Sequence, residues 1–387
     1  MTQRNRNKAR ESLSSCLLGI DASRAARATR TGTETYSLEI IKALAKQTGP
    51  HLRLRLYTPH PPAHDDWPSL SYVETCIIPW PRLWSHLRLA AELYRHRPDV
   101  LFVPAHVLPL TCPVPAIVTV HDLGYYHFPQ AHRLADRHYL AWSTRRHTRV
   151  AHHIIADSQA TKDDLVALYQ ADPKRITVVY LGRDKDLAPV RNPQLIAQVK
   201  QRYHIEGEYV LYLGTLQPRK NISRLIEGFH IALQMLSPAY QTIKLVIAGQ
   251  KGWLYDEIFN QVQHFGLGER VIFSGYVAAE DKASLLSGAL VYVFPSLYEG
   301  FGLPVLEAMA CNTPVLTSNT SSLPEVAGEA ALLVDPLDTQ AIASGLARLV
   351  TDAALRQKLV EKGHRQLEQF SWDKAAQQIV EIVEQIL

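Results

Sequence analysis

Short apolar runs alternate along this chain with longer amphipathic stretches, a pattern that predicts parallel strands covered by helices. In the first half the predicted strands are 16–20, 52–57, 73–77, 100–103, 116–120, 153–156 and 177–180, with helices at 33–47, 134–150 and 159–168. The stretch 182–203 is polar and contains two prolines, which predicts a linker. The pattern then restarts, with strands at 209–213, 244–248, 271–273, 291–294, 315–317 and 331–334. The expected architecture is therefore α/β, with doubly wound domains at 1–187 and 188–370 and a last helix, 371–387, crossing back onto the first. Residues 1–12 are polar and basic and read as a disordered tail. Open α/β sheets bind ligands at the carboxyl ends of their strands, so two such domains in tandem suggest a cleft between those ends. No repeat of 20–50 residues is visible.

At 387 residues the chain exceeds what one core usually fills, and its 47% hydrophobic and 20% charged content is that of an ordinary water-soluble protein. No window is apolar enough for a membrane-spanning helix, and no secretory leader is expected. Cys16, Cys76, Cys112 and Cys311 are scattered without a CxxC pair, which indicates neither a zinc site nor disulfides and fits a reducing cytoplasm. Charge divides unevenly: residues 1–190 hold 25 Lys and Arg against 17 Asp and Glu, and the remainder 16 against 20. A basic first half suits an anionic lipid or acceptor; a solvated basic face reads the same way.

Four segments carry chemistry. In 294–336 a strand runs into a Gly-rich turn and then a helix with Pro304 in its first turn, where a missing N–H is harmless. Amide groups at such a helix start can hold a diphosphate. Glu299 lies in the turn and Glu307 about one turn inside the helix, so the pair can grasp hydroxyls on either side of the phosphates. An ordinary strand–turn–helix with solvated glutamates has the same local signature. In 213–229 Arg219 and Lys220 stand where a helix begins. Fixed cations there would stabilise a departing nucleoside diphosphate, although a lone Arg-Lys pair is commonly surface charge. Gly275 and Tyr276 follow a third strand. The run AIVTVHD delivers His121 and Asp122 to the end of a fourth, yet any one of 17 histidines is by default structural or solvated.

The run from Glu299 to Glu307, EGFGLPVLE, resembles the E-x7-E signature of the retaining glycosyltransferase family 4, whose members adopt the GT-B fold. The following PVLTSNTSSLPEVAGEAALLVDP is similar to that family's next block. Gly214, Thr215, Pro218, Arg219, Lys220 and Asn221 match its G-T-x-x-P-R-K-N block residue for residue. The resemblance is dense over 209–336 and thinner before it. It implies two Rossmann-like domains facing a central cleft, with the donor on the second and the acceptor on the first. Glu299 would contact donor-sugar hydroxyls and Glu307 the ribose, while Phe301, Gly302 and Leu303 offer amides to the phosphates. Arg219 and Lys220 would stabilise the leaving group, beside Gly214 and Thr215. Gly275 and Tyr276 would hold the base through backbone groups. His121 would contact the donor sugar through its carbonyl or ring, and Asp122 would orient it or bind acceptor.

The first loop departs from the family, which often has two adjacent glycines; here Thr31-Gly32-Thr33-Glu34 leaves Gly32 as the phosphate contact. Arg24, Arg27 and Arg30 crowd that loop and suit an anionic acceptor or donor, or flexible surface charge. The stretch 79–89, PWPRLWSHLRL, mixes tryptophan with arginine and suits either a lipid interface or core and sugar stacking. Asp184-Lys185-Asp186 matches the metal-binding D-x-D of another glycosyltransferase architecture but falls in the predicted linker, so no metal or other cofactor is expected.

The resulting expectation is a retaining hexosyltransferase that moves mannose from GDP-mannose to a glycan or lipid-linked saccharide in polysaccharide biosynthesis. It would be cytoplasmic, with peripheral membrane contact through the N-terminal domain and no nucleic-acid partner. A UDP-glucose-dependent glucosyltransferase and a non-catalytic carbohydrate-binding protein of the same fold are the alternatives. A nicotinamide oxidoreductase lacks its G-x-G-x-x-G here.

Overall fold

The structure is a computed structural model that describes residues 15–29, 32–63, 65–80, 82–105, 107–131, 133–250 and 256–387. The tail at 1–12 and Arg30 lie outside them. The chain forms two compact units. The first comprises the chain up to Leu123, then Leu134–Gly182 and Ser371–Leu387; the second comprises Gly124–Arg133 and Arg183–Phe370.

Among the described residues, the first unit carries a seven-stranded sheet of β1 (Cys16–Asp21), β2 (Leu52–Thr58), β3 (Val73–Ile77), β4 (Val100–Val103), β5 (Ala116–Val120), β6 (His153–Ala156) and β7 (Ile176–Val178), in the order β3-β2-β1-β4-β5-β6-β7. All its pairings are parallel. A parallel sheet covered on both faces needs strands that are apolar throughout, and β4 and β5 are buried at every position. Edge strand β3 instead has no buried position and is exposed or half-exposed throughout. Helices α1 (Gly32–Ala45), α2 (Ala90–Arg95), α4 (Leu134–Val150) and α5 (Gln159–Tyr169) belong to this unit, whereas α3 (Gly124–His127) joins the second.

The second unit holds a six-stranded parallel sheet in the order β10-β9-β8-β11-β12-β13, built from β8 (Tyr209–Leu213), β9 (Lys244–Ala248), β10 (Val271–Gly275), β11 (Val291–Phe294), β12 (Val315–Ser318) and β13 (Ala331–Val334). Its helices are α6 (Pro193–Arg202), α7 (Ile222–Met235), α8 (Asp256–His264), α9 (Ala279–Ser287), α10 (Leu303–Ala310), α11 (Leu323–Ala327), α12 (Thr339–Thr351) and α13 (Ala353–Leu367).

Three features differ from the sequence expectation. The supposed linker 182–203 contains α6, whose start is capped by the Asn192 side chain accepting the Gln194 N–H, with Pro193 in its first turn. Of its residues only Val199 is buried, so its composition reads as loop. Residues 124–133 group with the second unit, where the His127 ring lies 4.5 Å from that of Tyr298. The boundary between the units falls after Gly182 rather than after residue 187.

The last helix, α14 (Trp372–Ile386), packs on α1 of the first unit. Trp372 meets Tyr36 edge-on at 5.8 Å, and Gln47 Nε2 donates to the Asp373 carbonyl at 3.4 Å. Gly182 fits beneath that tryptophan only because it lacks a Cβ, which would fall 2.3 Å from the indole. Buried Ile379, Val380, Ile382 and Val383 each contribute about 1.5–3 kcal/mol. The four cysteines are free, and no described helix is long and apolar enough to cross a membrane.

Candidate active site

In the second sheet the strand order reverses between β8 and β11, and the loops leaving these two strands meet. Arg219 and Lys220 do not open the helix after β8, as the sequence suggests. They occupy a single tight turn, Pro218–Lys220, after which Asn221 takes the left-handed conformation (φ 60°) and α7 begins. Asn221 tolerates that conformation and uses it: its Nδ2 donates to the carbonyls of Pro295 at 3.1 Å and Pro336 at 2.6 Å. The turn is thereby pinned to the loops after β11 and β13.

The two cations converge on one carboxylate. Arg219 Nη1 lies 2.9 Å from Glu299 Oε2 and also donates to the Tyr298 carbonyl at 2.6 Å. Lys220 Nζ lies 2.6 Å from Oε1 and 4.7 Å from the centre of the Phe294 ring. Burial by itself would push the Glu299 carboxyl up; Lys220 and then Arg219 outweigh it and hold the group down at about 2. Glu299 is therefore ionised at neutral pH, and the trio carries one net positive charge.

The serines of the TSNTSS run hold the Glu299 loop in place. Ser322 Oγ donates to the carbonyls of Glu299 and Phe301 at 3.0 and 2.5 Å, Ser318 Oγ donates to that of Ser296 at 2.7 Å, and the Glu299 N–H donates to Ser321 Oγ at 3.0 Å. Gly302 sits at φ 122°, where an L side chain is strained, and a Cβ there would meet Leu323 at 2.9 Å. Leu303 then opens α10 with Pro304 in its first turn, and first-turn amides have no acceptor within their own helix. Glu307 lies further along α10, ion-paired with Lys282 of α9, a partner the sequence did not mark.

Gly214 and Thr215 follow β8, with the Thr215 carbonyl accepting the Tyr212 hydroxyl at 3.2 Å. Gly249, after β9, was missed in the sequence, where only its strand-end position hinted at it. It adopts φ 140°, and a Cβ there would fall 2.0 Å from the Gly214 carbonyl oxygen. Its N–H donates to Gly275 at 2.7 Å, where the β9–β10 register shifts. Tyr276 beyond it is 66% exposed.

The remaining candidates belong to the first unit. His121 and Asp122 follow β5. His121 Nδ1 lies 2.7 Å from Asp157 Oδ2, Nε2 lies 3.2 Å from the Pro104 carbonyl, and the Tyr36 ring meets the imidazole edge-on at 4.8 Å. The carboxylate that holds the ring is Asp157, which the sequence did not single out; Asp122 adds its charge alongside. Burial disfavours the imidazolium, but Asp157 outweighs it and the His121 pKa is raised. The His121 carbonyl accepts the Thr161 hydroxyl at 3.3 Å. Arg24 and Arg27 both reach the buried Glu34 of α1, at 3.1 and 3.5 Å, beside Gly32 at the start of that helix. Trp84 is buried in a π-helical turn, Trp84–Leu89, with its indole N–H donating to Ile78, while Trp80 is 46% exposed. Asp184 accepts the Asp186 N–H at 2.9 Å in an exposed local turn.

Paired Rossmann-like units, the second with strand-end glycines and a basic turn closing on a glutamate before a helix start, define a GT-B glycosyltransferase. A family model described as Glycosyltransferase Family 4 matches residues 30–187, and one described as Glycosyl transferases group 1 matches 197–366. The chain belongs to glycosyltransferase family 4. It is 33% identical over 266 residues to O-antigen chain mannosyltransferase B of Escherichia coli, covering 68% of this chain and 69% of that one. It is 31% identical over 230 residues to the serotype-specific mannosyltransferase WbdA of Escherichia coli, covering 59% of this chain but only 28% of the longer protein. Anabaena Alr3699/HepE in complex with UDP-glucose shares the fold, with a TM-score of 0.73 at 20% identity over 95% of this chain and 99% of that one.

Proposed function

We propose that this enzyme transfers mannose from GDP-mannose, with retention of anomeric configuration, to a glycan or lipid-linked saccharide in polysaccharide biosynthesis. The observation that carries the reading is the convergence of Arg219 and Lys220 on ionised Glu299 at 2.9 and 2.6 Å. In this mechanism the two cations meet the departing GDP, together with the amides of Phe301, Gly302 and Leu303. A carboxylate has about four acceptor positions, so Glu299 can bind its cations and still orient donor-sugar hydroxyls. Glu307 takes the ribose, and backbone groups at Gly275 and Tyr276 take the base. The acceptor hydroxyl attacks the anomeric carbon from the face the diphosphate leaves: the bond from carbon to phosphate oxygen breaks, the bond to the acceptor oxygen forms, and the acceptor proton passes to the leaving phosphate.

Two further elements complete the proposal. The reaction needs no metal, because the net positive charge of the Arg219–Lys220–Glu299 trio and the amides at the start of α10 together stabilise the departing diphosphate. The protein works at the inner face of the cytoplasmic membrane, touching it through the first unit, where Trp80, Leu83 and Leu87 are 46%, 64% and 48% exposed. The mannosyl assignment is supported by the two Escherichia coli relatives, both named mannosyltransferases. Turnover assayed against a panel of nucleotide sugars tests it, with product configuration read by NMR. Preference for GDP-mannose with an α-linked product supports the proposal. Preference for UDP-glucose replaces the donor, and binding without transfer or hydrolysis of any donor leaves a non-catalytic binder.

A further inference from the structure

The segment between β5 and α4, Gly124–Arg133, groups with the second unit and packs there against the loop that carries Glu299. The His127 ring lies 4.5 Å from the Tyr298 ring and is tilted 31° to it, and the Phe128 ring lies 6.5 Å from the same tyrosine. The segment opens with α3, extended by the Phe128 N–H donating to the Gly124 carbonyl at 2.8 Å. Gly124 and Tyr125 are buried, whereas Tyr126 and His127 are exposed. Tyr298 itself is only 6% exposed, so the imidazole is part of what covers the phenol.

Tyr298 directly precedes Glu299, and its loop is tied to Arg219 twice. Arg219 Nη1 donates to the Tyr298 carbonyl at 2.6 Å, and the Leu297 N–H donates to the Arg219 carbonyl at 2.9 Å. The same Nη1 meets Glu299 Oε2 at 2.9 Å. One guanidinium nitrogen is thus aimed by two acceptors on adjacent residues, and a swing of the backbone at Tyr298 moves both. We infer that His127 is a positioning residue for glycosyl transfer: stacked on Tyr298, it holds the carbonyl and the carboxylate that aim Arg219 at the departing diphosphate. The inference rests on the glycosyltransfer reading above and adds to it a residue outside the matched motifs.

An acceptor fixes a long, rotamer-rich arginine only as far as the acceptor is itself fixed. The serines described above hold the backbone at Ser296, Glu299 and Phe301; the His127 ring holds the side chain at Tyr298. Tilted ring pairs are held by their π surfaces, so the contact calls for a flat ring at position 127 rather than for a proton on it. A displaced Arg219 would still balance Glu299 in part, but it would meet the leaving group less well. The loss then falls on the step in which charge develops on the diphosphate, not on donor binding.

The test compares the full-length protein with H127A, H127F, R219A and H127A/R219A, each shown to be folded by circular dichroism. With GDP-mannose, or the nucleotide sugar the wild type prefers, H127A should lower kcat by about 10- to 100-fold with little change in either KM, the scale of a catalytic group displaced by up to about 1 Å. H127F keeps a ring on Tyr298 and should restore kcat to within about two-fold of wild type. In the R219A background H127A should have no further effect, because a residue that acts through Arg219 is silent once Arg219 is gone. Affinity for GDP, or for the nucleoside diphosphate of that donor, is measured by calorimetry as a readout independent of turnover. It should weaken about three-fold or more from wild type to H127A and stay level between R219A and H127A/R219A. Wild-type kinetics in H127A, equal losses with and without Arg219, or a change confined to the acceptor KM overturn the inference, while wild-type turnover leaves the glycosyltransferase reading intact. H127F as impaired as H127A also overturns it, since the ring nitrogens rather than the stack would then be needed. A wild type that turns over no nucleotide sugar sinks the enzymatic reading and the inference with it.

Discussion

Asp157 and the Pro104 carbonyl grip His121 from both sides: Oδ2 lies 2.7 Å from Nδ1, and the carbonyl lies 3.2 Å from the other ring nitrogen. When Asp157 is ionised both partners are acceptors, and the imidazole supplies two N–H donors. With the His121 pKa raised above its ordinary value of 6.5, the pair's stabilisation is fully present below that pH and is lost as pH rises through the folded-state value. D157N should therefore be less stable than the wild type by about 1.5–3 kcal/mol near pH 6, with the gap closing under more alkaline conditions. Urea unfolding across this range checks it; a gap that is constant with pH would show that the proton on His121 contributes nothing.

Glu299 has the opposite pH dependence. Its depressed pKa of about 2, against an ordinary 4.5, contributes stability above pH 4.5 that disappears as pH falls through 2. E299Q leaves Lys220 and Arg219 without their anion and should cost about 3–5 kcal/mol at pH 7. The difference from wild type should narrow in acid, as read by denaturant unfolding from pH 7 to pH 2.5.

K220A should reduce kcat with GDP-mannose by about 100- to 1,000-fold, the usual effect of removing one group that stabilises developing negative charge. Steady-state kinetics on protein shown to be folded by circular dichroism measures this. A change confined to KM would place Lys220 in ground-state binding only.

Gly249 and Gly268 provide a paired test of backbone geometry. G249A introduces a Cβ 2.0 Å from the Gly214 carbonyl oxygen at φ 140° and should cost more than about 3 kcal/mol, lowering donor affinity as the Gly214 loop shifts. G268A meets nothing within 4 Å and should be neutral or stabilising by up to about 1 kcal/mol. Differential scanning calorimetry distinguishes them.

Chelation tests the charge assignment. If the proposed mechanism holds, with Arg219 and Lys220 as countercharge for the diphosphate, turnover with GDP-mannose should be unchanged in excess EDTA. A rate abolished by chelator and restored by Mg²⁺ would require a metal in the mechanism.

Much of this protein was legible in its sequence. Strands such as β4 and β8 show as uninterrupted apolar runs because a parallel sheet buries both faces, and the order of the strands along the chain already implied two doubly wound domains. Arg219, Lys220, Glu299 and Glu307 stood out as candidates because their spacing matches a family signature; the structure brings the first three together and pairs Glu307 with Lys282. The α6 helix could not be seen, because most of its residues face water and its apolar stripe is confined to Leu195, Ile196 and Val199 within a short, polar, proline-flanked segment.

What only the tertiary structure decided are relationships between residues far apart in the chain. The sequence cannot show that Glu299 neutralises cations 79 and 80 positions earlier, that Asp157 rather than a neighbour grips His121, or that Glu34 ties down two arginines of its loop. Local patterning fixes which residues become strand, turn or helix. Charge pairing and close backbone approach depend on where parallel strands end beside one another, and that is set only when the sheet order is formed.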